Sequence, residues 1–163
     1  MPNVILNPIT KDHMNKTYEW ISDSEFRKKF MIRGETSWKT HVDYFENLIK
    51  DETQFAYAII LDELHVGNCG FKYIDNLNQS AEIWLYIGNV EVRGLGLGGS
   101  ALDLLLHNGI NHLDLKEFFV HVAENNQSAI NLYKNNSFFE HGDCSKEWQN
   151  RGVKMIRMVF RPQ

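Results

Sequence analysis

The sequence predicts one domain of the mixed α/β class, residues 1–163, with a central and mostly antiparallel sheet of about seven strands flanked by helices. Three observations predict it. The chain has 163 residues, 43% hydrophobic and 23% charged, the range of one globular unit with one sizeable core. Apolar residues recur with a period of two in some stretches and of three to four in others, so strands and helices are interleaved. No repeat, linker or low-complexity stretch interrupts the series.

Residues 4–6, Val-Ile-Leu, read as a short first strand. Thr10 then offers a cap for a helix running through Tyr18, Trp20 and Ile21, and a second short helix follows at 25–30. Ser37 opens a longer helix in which Trp38, Val42, Phe45, Leu48 and Ile49 recur at helical steps and share one face, ending near Asp51. The run of strand formers at 55–61, the turn at Asp62 and Glu63 and the run 65–74 predict a hairpin. After a turn at 75–78 the stretch 80–87 alternates: Ala81, Ile83, Leu85 and Ile87 point one way, Glu82, Trp84 and Tyr86 the other.

A glycine-rich turn at 93–99 leads into an amphipathic helix marked by Leu102, Leu105, Leu106 and Ile110, which stops near His112. Residues 117–122 read as a strand, 126–135 as a helix with Ala129, Leu132 and Tyr133 on one face, and 138–141 and 153–160 as two closing strands. The early half of the sheet is then antiparallel, and its centre holds one right-handed strand-helix-strand crossover.

Lys and Arg total 17 against 21 Asp and Glu, with no charged tail, so nucleic acid is not an expected partner. The first residues carry no basic lead-in and no long apolar run. Neither a signal peptide nor a membrane span is expected there, and a cytoplasmic location is. Cys69 and Cys144 are read as isolated thiols rather than a disulfide or a nucleophile. The seven histidines include no H-E-x-x-H and no Cys/His pair at ligand spacing, so no metal site is expected.

The sharpest local signal is Arg93-Gly94-Leu95-Gly96-Leu97-Gly98-Gly99-Ser100 between a strand and a helix. Such glycines let backbone N–H groups converge on an anion, and the following helix N-terminus adds partial positive charge. A phosphate or pyrophosphate is the natural guest; the alternative is a flexible turn. The string also satisfies G-x-G-x-x-G through Gly94, Gly96 and Gly99, which would suit an NAD(P) or flavin oxidoreductase. It comes after several strands, however, and too little chain follows for a dinucleotide fold. No G-K-[ST] follows the glycines.

Read from Arg93 the loop is R-x-x-G-x-G, and the helix after the next strand carries Asn126-Gln127-Ser128-Ala129-Ile130-Asn131-Leu132-Tyr133, an N-x-x-A-x-x-x-Y string followed by Phe138. With these two motifs in this order the chain resembles the GNAT acyltransferases over most of its length, most strongly from 55 to 140. Ala81-Glu82-Ile83 is similar to the branch that holds ribosomal-protein N-terminal acetyltransferases and several small-molecule acetyltransferases. Two departures stand out: Gly88-Asn89-Val90-Glu91 lacks the proline often found before the loop, and Ser137 replaces the usual glycine before Phe138. Asn136 is expected to take the left-handed helix cap instead.

The resemblance implies acetyl-CoA as co-substrate and a sheet that splays beside the strand ending at Ile87. Main-chain groups of Leu85, Tyr86 and Ile87 would pair with the pantetheine arm as with an added strand. The amides from Arg93 through Gly94, Gly96, Gly98 and Gly99 to Ser100 would hold the pyrophosphate, and Asn126 the far side of the cofactor. Tyr133 would stand near the sulfur and protonate the leaving thiolate; by periodicity alone it reads as a core aromatic. Glu82 is the candidate base, acting through water, since it projects opposite its aliphatic neighbours. The alternatives are a solvated strand position with the amine losing its proton to bulk water, or His121 or His141 as the base.

The acceptor pocket is expected from the N-terminal helices and residues 26–38, with later contributions around Trp148 and Arg151. Trp20, Phe30 and Arg33 are its candidate contacts. The aromatic residues there also read as packing for the first helices, and Arg33 would suit an acidic or phosphate-bearing acceptor. The expected function is transfer of acetyl from acetyl-CoA to a primary amine of a small molecule, such as an amino sugar or polyamine, or of a protein N-terminus. A monomer or homodimer is expected to do this; a noncatalytic acyl-CoA sensor on the same fold is the alternative.

Overall fold

A computed structural model describes residues 3–32, 34 and 36–163. Among them seven strands form one sheet: β1 (Val4–Pro8), β2 (Phe55–Leu61), β3 (Leu64–Asp75), β4 (Ser80–Ile87), β5 (Glu117–Ala123), β6 (Phe139–Glu140) and β7 (Met155–Phe160). Their spatial order is β1-β2-β3-β4-β5-β7-β6, and every neighbouring pair is antiparallel except β4 with β5. That single parallel pair is the expected crossover, made through α4 (Leu97–His112). The other helices are α1 (Met14–Ser22), α2 (Ser24–Lys29), α3 (Trp38–Lys50) and α5 (Gln127–Asn135). Among the described residues no helix is long and apolar enough to cross a membrane.

The alternation along β4 divides the core between two faces. Ala81 and Ile83 pack with Leu102, Leu105 and the other buried residues of α4, whereas Trp84 packs with Phe45 and Leu48 of α3. Truncating Ile83, Leu102, Leu105, Phe45 or Leu48 to alanine costs about 2–5 kcal/mol, so the helices are held firmly on both sides of the strand that carries Glu82.

Three local expectations need correction. The first helix begins one turn later than Thr10 suggests. Thr10 and His13 form a capping box over a 3-10 turn at Lys11–His13, and α1 follows. In α3 the buried stripe is His41, Phe45 and Leu48, while Trp38 and Ile49 are 44% and 49% exposed. A histidine takes the first of these places, its Nε2 donating to the Met14 carbonyl at 3.0 Å while its buried Nδ1 has no hydrogen-bond partner among the described residues. At the end of α5 the left-handed residue is Ser137, φ +70°, and not Asn136, φ −111°. The Phe138 and Ser137 amides donate to the Tyr133 and Lys134 carbonyls, the paired closure that places positive φ one residue beyond the cap. Asn136 instead donates its side-chain amide to the Leu132 carbonyl.

Strands β4 and β5 pair only at Ser80–Glu117, Ala81–Phe118 and Glu82–Phe119. Beyond Glu82 both continue without pairing, so a gap opens in the middle of the sheet and Glu82 stands at its apex.

Candidate active site

Two cavities meet in this gap. One, about 440 Å³, lies under α1, α3 and the chain between α2 and α3, with Glu82, His121 and Trp148 in its wall. The other, about 430 Å³, lies against the glycine loop and α5. Phe30, Leu85, Tyr86, Ala129 and Tyr133 line both. A molecule lying along the free edge of β4 would therefore have one end at the loop and the other beside Glu82 and Tyr133.

The loop has the backbone geometry that an anion would need. Gly94 and Gly96 have φ of +84° and +77°, a region that side chains disfavour, and Gly96 is the residue preceding α4. The 16-residue helix then offers the first-turn amides of Leu97, Gly98 and Gly99 at its positive end. Arg93 does not reach into the cavity with its Nε: that group donates to the Ile87 carbonyl at 3.0 Å and ties the loop to the end of β4. Ser100 is outside the cavity wall, and its amide is already spent on the Gly96 carbonyl at 3.3 Å.

Asn126 caps α5, accepting from the Ala129 amide and the Ser128 hydroxyl. It lines a neighbouring cavity with Lys28, Lys29 and Arg151 rather than the loop cavity, where Ser128 and Ala129 stand instead.

Glu82 is not solvated. It is 2% exposed, and both its oxygens are engaged. Oε2 lies 2.9 Å from Lys72 Nζ, and Oε1 lies 2.5 Å from His121 Nδ1, close but not aligned as a hydrogen bond. The Ser145 amide donates to His121 Nε2 at 3.3 Å, which leaves the ring proton on Nδ1, facing the carboxylate. Burial alone would push the Glu82 carboxyl up, but His121 and Lys72 together outweigh it and hold it below the usual carboxylate range.

Lys72 also reaches Glu147 at 3.2 Å, and Glu147 accepts from the Tyr73 hydroxyl at 2.7 Å. Trp148 stacks on His121 at 5.7 Å and carries the Arg151 guanidinium on its ring. Arg151 in turn donates to the Met31 carbonyl, joining the 144–153 loop to the chain after α2. The loop is thereby pinned over the apex of the gap.

Tyr133 is buried on α5 against Phe138, and burial pushes its phenol well above the ordinary tyrosine value. It therefore keeps its proton at neutral pH. Tyr86, in the wall of both cavities, is fixed by Asn68. That residue is 1% exposed, donates to the Tyr86 and Thr17 hydroxyls at 2.8 and 2.9 Å, and accepts from His65 Nε2 at 2.7 Å.

Of the expected acceptor contacts, Phe30 is in the wall of both cavities and Trp20 is in neither. The indole of Trp20 packs edge-on to His65 and Tyr86 and lies over Gly88. Arg33 lies outside the described residues. Trp148 is in the wall as expected, whereas Arg151 stands behind it. His141 is on the surface, away from both cavities. Reading the residues missed Lys72, Asn68 and Glu147. For Lys72 a signal existed, since pairing the two arms of the 65–87 hairpin sets it opposite Glu82.

The sequence profile of the family described as acetyltransferase (GNAT) domain matches residues 3–138. An N-acetyltransferase 9-like protein of Dictyostelium discoideum is 25% identical over 164 residues, covering 87% of this chain and 77% of that protein. The spermidine N(1)-acetyltransferase of Escherichia coli (strain K12) is 21% identical, covering 99% of this chain and 88% of its own. Among solved structures, spermidine N-acetyltransferase from Vibrio cholerae in complex with CoA and spermine superposes with a TM-score of 0.87 at 19% identity, covering 97% and 95% of the two chains. A dodecameric structure of spermidine N-acetyltransferase from the same organism gives 0.79 at 19% identity, covering 97% and 93%. These relatives do not single out the ribosomal-protein branch expected from Ala81-Glu82-Ile83.

Proposed function

The chain belongs to the GNAT acetyltransferase family and is an acetyl-CoA-dependent N-acetyltransferase, and from that premise we propose how its residues divide the transfer. The reading rests on one observation: β4 and β5 part after Glu82, and Tyr133 borders the cavities on both sides of the parting. The cofactor's diphosphate lies on the amides of Gly94, Gly96, Gly98 and Gly99, while Arg93 holds the loop to β4 and Ser100 stabilises its helical end. The pantetheine arm follows Leu85, Tyr86 and Ile87, whose edge β5 leaves unpaired. Asn126 contributes through its side-chain N–H groups alone, because its carbonyl is committed to the cap.

The acceptor amine comes from the larger cavity and attacks the thioester at the shared wall. Tyr133 Oη gives its proton to the departing sulfur. The amine's proton leaves through water towards Glu82, which is ionised and receptive at neutral pH. The contacts from His121 and Lys72 that keep it ionised make it a poor final store for that proton, so the proton passes on to solvent.

The test is release of free thiol from acetyl-CoA with a panel of primary amines, with spermidine, the acceptor named for some relatives, as the reference. Thiol release dependent on an amine supports the reading. Binding of acetyl-CoA by calorimetry without release to any amine would instead make the chain an acyl-CoA sensor.

A further inference from the structure

Asn68 stands in the middle of β3, directly across the ladder from Tyr86 of β4, and is 1% exposed. Amides are uncommon at such a strand position, because a buried one needs its polar atoms satisfied. This one is satisfied in three directions. Its Nδ2 donates to Tyr86 Oη at 2.8 Å and to Thr17 Oγ1 at 2.9 Å, and its Oδ1 accepts from His65 Nε2 at 2.7 Å. Asn68 itself borders neither cavity of the gap, whereas Thr17 borders the acceptor cavity and Tyr86 borders both.

One nitrogen thus joins α1, which carries Thr17, to the strand along whose edge the two cavities meet. Everything else that holds the Tyr86 side chain is ring packing: Trp20 and Phe26 meet it edge-on, Phe30 is tilted against it and Trp84 stacks on it. Apolar burial has little directionality and leaves a ring room to slide, while two hydrogen bonds from a common donor fix where the hydroxyl end stands.

From this arrangement we propose that Asn68 is a positioning residue for the transfer: from behind the wall it sets the spacing of α1 and Tyr86, and so the place the acceptor amine takes beside the thioester. The inference rests on the acetyl-transfer reading above. Reaction between two bound partners depends steeply on their alignment, and a displacement of about 1 Å costs up to about a hundredfold in rate. In the same reading the cofactor lies on the main chain of β4 and the amides of the glycine loop, so its affinity does not depend on the Asn68 side chain.

The experiment measures acetyl-CoA binding by calorimetry, and kcat and KM for whichever of spermidine, 2-phenylethylamine and a short peptide with a free amino end wild type uses best. It compares wild type with Tyr86→Phe, Thr17→Val and Asn68→Leu. The first two each delete one oxygen that Asn68 reaches and keep the shape of the side chain; the third deletes the bridge itself. Each should lower kcat/KM for the amine by roughly tenfold or more, with acetyl-CoA affinity within about twofold of wild type. Adding Tyr86→Phe to Asn68→Leu should cost little further, because residues that act through one contact are not additive. A purely structural amide would lower the melting temperature of the variants and leave the constants for the amine unchanged in the folded proteins. That outcome overturns the proposal, as does an equal loss of acetyl-CoA affinity, or losses that multiply in the double variant. Should Asn68→Leu fail to fold, the two hydroxyl deletions decide by the same criterion. Wild type transferring acetyl to none of the three amines overturns the acetyl-transfer reading, and this inference with it.

Discussion

Lys72 Nζ stands 2.9 Å from Glu82 Oε2, directly across the β3–β4 ladder. The carboxylate at the apex of the gap is therefore neutralised from within the sheet before any acceptor arrives. Lys72 also touches Glu147, so one ammonium couples the apex to the loop that roofs it.

The pH dependence of stability should report this pair. The folded state holds the Glu82 carboxyl below its usual range. Its contribution is thus fully present above the unfolded value and is lost as pH falls through the folded one. Melting temperature should fall more steeply for wild type than for Glu82→Gln as pH falls below the ordinary glutamate value of 4.5. At neutral pH Lys72→Met should cost about 3 kcal/mol, since it leaves a buried carboxylate short of its partner. Parallel melting curves for wild type and Glu82→Gln across that range would remove the pair's assigned role.

Tyr133→Phe keeps the ring against Phe138 and removes only the hydroxyl. Turnover should fall about a hundredfold, the lower end of what a positioned acid supplies, with KM for acetyl-CoA unchanged. Equal loss in cofactor affinity would mark the hydroxyl as a structural group, and unchanged turnover would leave Tyr133 a core aromatic.

Gly96 tests the loop. Its φ of +77° precedes α4 with nothing within 4 Å of a built Cβ, so Gly96→Val is opposed by backbone strain rather than by a clash. Strain of about 1–2 kcal/mol that moves the first-turn amides should weaken acetyl-CoA binding by roughly tenfold. Calorimetry on the folded variant gives the answer directly, and undiminished affinity would return the glycines to a mere bend.

The strands, the crossover and the glycine turn before α4 were legible because each depends on local chemistry: alternation in 80–87 and glycine spacing in 93–99. What escaped depends on distant partners. Glu82 looks like a solvent-facing strand position until His121, 39 residues on, and Lys72 close on it from two other strands. Trp38 and His41 both fit the helical face of α3, and only the Met14 carbonyl decides that the histidine goes inside. Asn68 in the buried middle of β3 carried a signal that only the positions of Thr17 and Tyr86 make intelligible.

Ser137 at φ +70° holds a conformation that glycine adopts freely. Ser137→Gly should stabilise the chain by about 0.5–1 kcal/mol, less than the full relief of strain because glycine also loosens the unfolded state. In a chain of this size that is a rise of roughly 1–4 °C in melting temperature. A fall would show that the serine side chain makes up for the backbone cost.

Trp20 separates packing from recognition. A Cβ built on Gly88 would lie 2.1 Å from the Trp20 ring, so the indole closes on bare backbone at the end of β4, and no methyl fits between them. Gly88→Ala should therefore push α1 away and destabilise the fold by about 1–3 kcal/mol, as overpacking does. Trp20→Leu removes the ring instead. It should lower stability by a similar amount, while KM for the acceptor at saturating acetyl-CoA stays within about twofold of wild type. A large rise in acceptor KM with unchanged stability would return Trp20 to the acceptor pocket, where its position in the chain first suggested it belonged.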